Sequence, residues 1–193
     1  MREALFERTT NETAVKIKIS LDEKGRNEIK TGIGFLDHML DLFAFRAGMT
    51  LSISGRGDLE VDGHHITEDV GIALGKAIAT ALGDKDGISR YGEAAIPMDE
   101  SLARCVMDLS GRPYLVFHAE FPNQRVGEFE TELTEEFFRA LASHCGMTLH
   151  IHVVYGKNTH HMIEAIFKAF GCALKQAVSL TCAGVPSTKG VLG

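Results

Sequence analysis

The chain is written twice. The string Gly48-Met49-Thr50-Leu51 returns as Gly146-Met147-Thr148-Leu149, and His64-His65 with Glu68 returns as His160-His161 with Glu164, the connecting segment being two residues shorter in the second copy. A repeat on this scale makes each copy a supersecondary unit that cannot bury its apolar surface alone, so the two must share a core. That constrains the fold more than any single segment does.

The segments around these anchors match as well. Residues 35–45 and 135–142 carry apolar positions at helical spacing and end just before the shared Gly-Met-Thr-Leu. Ahead of each helix lie two stretches with strand character, 13–21 and 27–33 in the first copy, 102–109 and 114–120 in the second. Behind each histidine pair runs a long segment rich in Ala, Ile, Leu and Phe, at 66–82 and 162–180, which reads as helix. The expectation is an α+β fold, an internal duplication of a strand-strand-helix-strand-helix unit, with two sheets packed with helices. The halves span about 9–90 and 91–182, residues 83–97 form the connector on their Gly and Asp content, and a tail covers 184–190. At 193 residues and 45% hydrophobic composition, one domain over 1–193 is expected.

Charge and cysteines narrow the function classes. The net charge is -6 and no Lys/Arg run is present, which argues against nucleic acid as a partner. Cys105, Cys145, Cys172 and Cys182 show no C-x-x-C spacing and suit buried thiols in a reducing cytoplasm. Residues 1–10 lack an apolar signal-type core, and no stretch approaches 18 uncharged apolar residues, so neither secretion nor a membrane span is expected.

Four of the nine histidines fall in the two pairs, each at a helix start with Glu four residues on from the first member. Residues three or four apart share one helix face, so a His and its Glu can reach one cation together. Adjacent residues are about 100° apart around the axis, so both members of a pair do not easily bind one ion, and two pairs imply two metals. If the halves are related by approximate symmetry, each metal can take one His from each pair. His38 stands ten residues before Gly48, and Glu136 stands ten before Gly146, which adds two metal-competent side chains on equivalent helices. His118, His144, His150 and His152 have no partner in the first half, so structural or hydrogen-bonding roles are expected for them. The donors are nitrogen and oxygen without thiolate. That argues against structural zinc and leaves Mn, Fe, Ni or catalytic Zn open.

GFLDHML, DGHHITEDVGIALG, PMDESL, DLSGRPYL, GMTLHI, NTHHMIEAIFKAFGCALKQA and PSTKG together resemble imidazoleglycerol-phosphate dehydratase, in order and spacing, over nearly the whole chain. The resemblance implies a duplicated fold like the second domain of ribosomal protein S5. It also implies a homo-oligomeric shell of 24 subunits, with two Mn(II) ions per active site lying between subunits. Carried onto this sequence, the metal ligands are His38, His64, His65, Glu68, His160, His161 and Glu164. The family's remaining ligand is often a His on the helix that here carries Glu136, so Glu136 either ligates through its carboxylate or leaves that metal with a changed shell.

The implied reaction is a carbon-oxygen lyase step of histidine biosynthesis, converting D-erythro-imidazoleglycerol phosphate to imidazole acetol phosphate and water. The C–H to be broken is not next to a carbonyl, so the ring must supply the electron push. An imidazolate held between two Mn(II) ions can expel the adjacent hydroxyl through a diazafulvene-like species. The resemblance points to Glu12 as the base, with His38, His65, Glu68 and Glu164 catalytic through the metals, and with Asp99 and Glu100 as secondary acid-base or water-positioning candidates. Arg90, Arg112, Lys168, Ser187 and Lys189 match family positions around the phosphate, and Glu12 and Asp99 also face the substrate. Two other readings use the same ligands: a two-metal hydrolase that activates water, and a self-assembling metal-storing shell.

Overall fold

The computed structural model describes residues 1–181, 184 and 187. The first half runs β1 (Glu3–Thr9), β2 (Thr13–Ser20), β3 (Glu28–Lys30), α1 (Gly34–Ala47), β4 (Thr50–Gly57) and α2 (His64–Leu82). The second runs β5 (Tyr91–Met98), β6 (Ser101–Asp108), β7 (Tyr114–His118), a short hairpin β8 (Arg125–Val126) and β9 (Phe129–Glu130), then α3 (Leu133–Cys145), β10 (Thr148–Tyr155) and α4 (Thr159–Ala177). The sheet orders are β1-β2-β4-β3 and β5-β6-β10-β7, and in both the last strand is the parallel one. The α+β duplication is therefore present, with two four-stranded sheets and four helices.

Each half has one more strand at its start than the sequence pattern suggests. The connector expected over 83–97 ends at Arg90, because Tyr91–Met98 pairs along its whole length with β6. The small residues that make this stretch look like a loop serve packing. A Cβ on Gly92 would sit 2.0 Å from the Ala173 carbonyl oxygen, so α4 lies directly against this strand. Likewise Glu3–Thr9 pairs with β2. The last helix closes at Ala177 rather than near 180.

The repeated glycines are helix stops. Gly48 and Gly146 adopt left-handed φ of 70° and 68°, which glycine tolerates without a Cβ clash, and the next residues close matching bonds, Met49 N–H to Ala44 C=O at 3.2 Å and Met147 N–H to Ala142 C=O at 3.1 Å. The chain then turns directly into β4 or β10.

The first helix of each half packs on the second helix of the other. A Cβ on Gly171 of α4 would meet the Phe43 carbonyl oxygen of α1 at 2.6 Å, and a Cβ on Gly75 of α2 would meet the Leu141 carbonyl oxygen of α3 at 2.6 Å. Gly75 and Gly171 each lie eleven residues past the first His of their pair, and Phe43 and Leu141 each lie five before the capping glycine. The two contacts are thus the same contact under the internal pseudo-twofold. Phe43, Phe138, Phe167 and Phe170 join them into one continuous buried cluster with ring centroids 5.0–5.2 Å apart. Among the described residues no helix is long and apolar enough to cross a membrane.

Candidate metal centre

Both histidine pairs sit in the first turn of their helices, and local capping puts them there. Asn158 Oδ1 accepts from the backbone N–H of His160 at 2.9 Å and of His161 at 3.4 Å, and Asp62 Oδ1 accepts from His64 N–H at 2.8 Å. The side chains therefore project from the first turn of each helix.

The α1–α4 crossing brings His38, His160 and Glu164 together, and their ligand atoms all lie within 4.8 Å of one another. Glu164 Oε2 is 3.1 Å from His160 Nε2 and 3.9 Å from His38 Nε2. An octahedral ion with bonds of about 2.1 Å separates neighbouring donors by roughly 3 Å and opposite ones by about 4.2 Å, so this set fits around one divalent cation. Phe35 holds His160 edge-on, with ring centroids 5.1 Å apart. Lys168 Nζ is 2.5 Å from the other Glu164 oxygen. Burial works against the Glu164 carboxylate, but Lys168 and then His160 outweigh it and hold its pKa below the ordinary value.

The second member of each pair turns to a carboxylate. His65 Nδ1 is 3.0 Å from Asp58 and 4.0 Å from Glu12, and His161 Nδ1 is 2.8 Å from Glu100. The hydrogen bond to Asp58 raises the His65 pKa, and the bond to Glu100 raises that of His161. Glu100 is held far below the usual carboxylate range by His161 and by the Asn158 and Lys157 amides. A carboxylate on Nδ1 fixes the ring and leaves Nε2 for a metal.

Glu12 and Glu100 occupy equivalent places. The pairings Ser20–Thr50 and Asp108–Thr148 set β2 and β6 in the same register against β4 and β10, so Thr13 matches Ser101, and each Glu stands just before. Asp99 lies in the β5–β6 turn with φ +47, and its carboxylate is 3.8 Å from His161 Nε2. A cavity of about 320 Å³ lined by Thr10, Glu12, Thr13, Arg56 and Asp58 opens beside Glu12.

Other expected site residues stand apart. Among the described residues, His64, His65, Glu68, His161 and Glu136 are outside the three-ligand group, and Glu136 lies 3.7 Å from Arg139 Nε. The pseudo-twofold does relate Glu136, His64 and Glu68 to His38, His160 and Glu164, since α3 meets α2 as α1 meets α4. Arg90 Nε is 2.7 Å from Asp108 and Arg112 is 4.0 Å from it. Lys168, by contrast, stays at the three-ligand group through Glu164, and its Nζ also lies 3.3 Å from the sulfur of Met98, at the far end of β5 from Arg90. Seven steps of about 3.3 Å put the two ends of that strand roughly 23 Å apart. Ser187 lies in a bend, and Lys189 falls outside the described residues. Asp58 went unread in the sequence, because Gly156 stands in its place in the second copy and the repeat carries no signal for it.

Residues 31–174 match the family model described as imidazoleglycerol-phosphate dehydratase. Curated relatives of that name include those of Listeria welshimeri, 55% identical over 194 residues, and Heliobacterium modesticaldum, 57% identical over 195, each alignment spanning 100% of both chains. Among solved structures, imidazoleglycerol-phosphate dehydratase from Staphylococcus aureus superposes with a TM-score of 0.84 at 47% identity, covering 92% of this chain and 100% of that one. The protein from Pyrococcus furiosus gives 0.84 at 39% identity, covering 96% and 99%. The chain belongs to the imidazoleglycerol-phosphate dehydratases, hydro-lyases of histidine biosynthesis.

Proposed function

We propose that this enzyme dehydrates D-erythro-imidazoleglycerol phosphate to imidazole acetol phosphate at a site that holds two Mn(II) ions and is completed by a second copy of the chain. The observation that carries this is the His38–His160–Glu164 group, a nitrogen-and-oxygen donor set with room for one divalent ion and open sides. His64, Glu68 and Glu136 supply the pseudo-symmetric counterpart, and His65 and His161, steered by Asp58 and Glu100, present Nε2 as further ligands. When bound, the two ions supply Lewis acidity to the ring nitrogens and favour the imidazolate form.

The chain's own groups do the rest. Glu12, exposed at the β1–β2 turn beside His65, takes the proton from the glycerol chain, and Asp99 orients the hydroxyl that leaves. Arg90 and Arg112, already gathered at Asp108, hold the phosphate with Ser187 and Lys189, while Lys168 acts at the other end of the strand. The distance between these two basic groups within one chain supports a site shared between subunits, and the count of 24 chains is the one the family resemblance implies. The buried, unpaired thiols of Cys105 and Cys145 suit a cytoplasmic enzyme.

The test is a product assay on metal-stripped protein given Mn(II) and imidazoleglycerol phosphate. Metal-dependent formation of imidazole acetol phosphate supports the reading. A metal-loaded, assembled sample that forms no ketone overturns it.

A further inference from the structure

The geometry points to a second kind of metal site, made of His118, His150 and His152 on the outer face of the second sheet, which takes one borderline divalent ion of the zinc class. β10 alternates there: Leu149 and Ile151 are fully buried against the helices, while His150 and His152 are exposed on the opposite side. His152 is the in-register neighbour of His118 on the parallel strand β7, and their ring centroids are 4.8 Å apart at 46°. His150 stands two residues back on the same face, about 6.6 Å along the strand. His118 and His152 are already side by side, whereas the only three donors within 4.8 Å of one another among the described residues are those of His38, His160 and Glu164, so the exposed His150 ring must turn toward the pair for the three to cap one face of a tetrahedral ion and leave its fourth position open.

Three further observations support a ligand role. Among the described residues none of the three rings has a hydrogen-bond or ion-pair partner, whereas His65, His160 and His161 each do. The His152 pKa is lowered, first by burial and then by repulsion from His118, His150 and Arg104, so the ring is neutral and ligand-competent at neutral pH. Arg104, the His152 neighbour on β6, is paired with Glu93 at 3.0 Å, which offsets its charge.

The arrangement also breaks the duplication. The first half has Ser52, Ser54 and Lys30 at the equivalent positions of β4 and β3. The site lies on the side of the sheet away from α4, so it is separate from the His38–His160–Glu164 group. Imidazole donors without carboxylate favour Zn(II), Ni(II) or Cu(II) over Mn(II).

The experiment dialyses Mn-loaded enzyme against low-micromolar Zn(II) and measures bound zinc by atomic emission, for the unaltered chain and for His118→Gln/His152→Gln. The unaltered chain retains one more Zn(II) per chain than the variant, and the variant keeps full dehydratase activity with Mn(II); equal zinc contents overturn the site. Should the variant fold poorly, the unaltered enzyme is treated with diethyl pyrocarbonate with and without Zn(II), and modification is mapped by mass spectrometry. Zinc-dependent shielding of His118, His150 and His152 supports the site, and unchanged reactivity of all three overturns it.

Discussion

Asp69 of α2 accepts a hydrogen bond from the Thr13 hydroxyl, tying the helix that carries Glu68 to the turn that carries Glu12. Its other oxygen accepts from Arg8 Nε at 2.7 Å, and the carboxylate is buried. Inside the turn, Thr10 Oγ1 accepts from the backbone N–H of Glu12 at 3.1 Å and of Thr13 at 3.0 Å. Glu12 is exposed, yet its backbone is positioned from below by a buried charge. Asp69 is thus a positioning residue, acting on Glu12 through Thr13.

Asp69→Ala leaves Arg8 and Thr13 without their shared acceptor and should cost about 2 kcal/mol, or roughly 4–8 °C in melting temperature. Because Asp69 touches no proposed ligand, Mn(II) content should stay at the unaltered level while kcat falls. Thermal melting, metal analysis and steady-state kinetics check this. Full kcat in a folded variant would show that the turn does not position Glu12.

Gly75→Ala and Gly171→Ala each place a methyl 2.6 Å from a carbonyl oxygen of the crossing helix. Overpacking of this kind costs about 1–3 kcal/mol, and only about 1 kcal/mol is regained from alanine's higher helix propensity. Both variants should be destabilised, and by similar amounts, since the two crossings are equivalent. Urea denaturation of both variants checks this; a stabilised variant would mean that the helices can part at no cost.

How much of this was legible in the sequence follows from what the duplication preserves. Gly48 and Gly146 are kept because a left-handed stop is needed twice, and the histidine pairs are kept with their Glu, so helices α1 to α4 and the three residues that the fold gathers, His38, His160 and Glu164, could be read. Strand β5 could not, because Gly92 and Ala94–Ala95 look like linker until α4 is seen to lie against them. Asp58 stayed hidden because the second half fills the same role from a different position, with Glu100 on His161 and Gly156 where Asp58 would stand. Spacing also could not say that His38 would join His160 and Glu164 rather than His64. That pairing depends on α1 crossing α4 instead of its own α2.

The buried thiols make a chemical prediction. Burial pushes Cys145 up to about 12 and Cys105 higher still, so neither forms thiolate at neutral pH. Iodoacetamide on the native protein should alkylate half-buried Cys172 well before either. Mass spectrometry of timed samples reads the order, and early labelling of Cys105 or Cys145 would mean that the sheet-helix layers open readily.

The raised pKa values of His65 and His161 give the metal-free and metal-loaded proteins opposite pH behaviour. In the metal-free protein the protonated rings pair with Asp58 and Glu100. A histidine whose pKa is raised above 6.5 on folding contributes stability that is complete below 6.5 and is lost as pH climbs through the folded value. Glu100, lowered from 4.5, contributes stability above 4.5 that is lost only in strong acid, so the pairing holds from mild acid up to the histidine transitions. Metal binding needs neutral imidazole, so protons compete with Mn(II) until pH passes the raised values. As pH rises through that window, the melting temperature of metal-free protein should drift down while that of Mn-loaded protein goes up, and the gap between them should widen. Asp58→Asn, which removes the main cause of the His65 shift, should move the onset of widening to lower pH. Melting curves at several pH values, with and without Mn(II), test this; a gap that does not change with pH would remove these histidines from the ligand set.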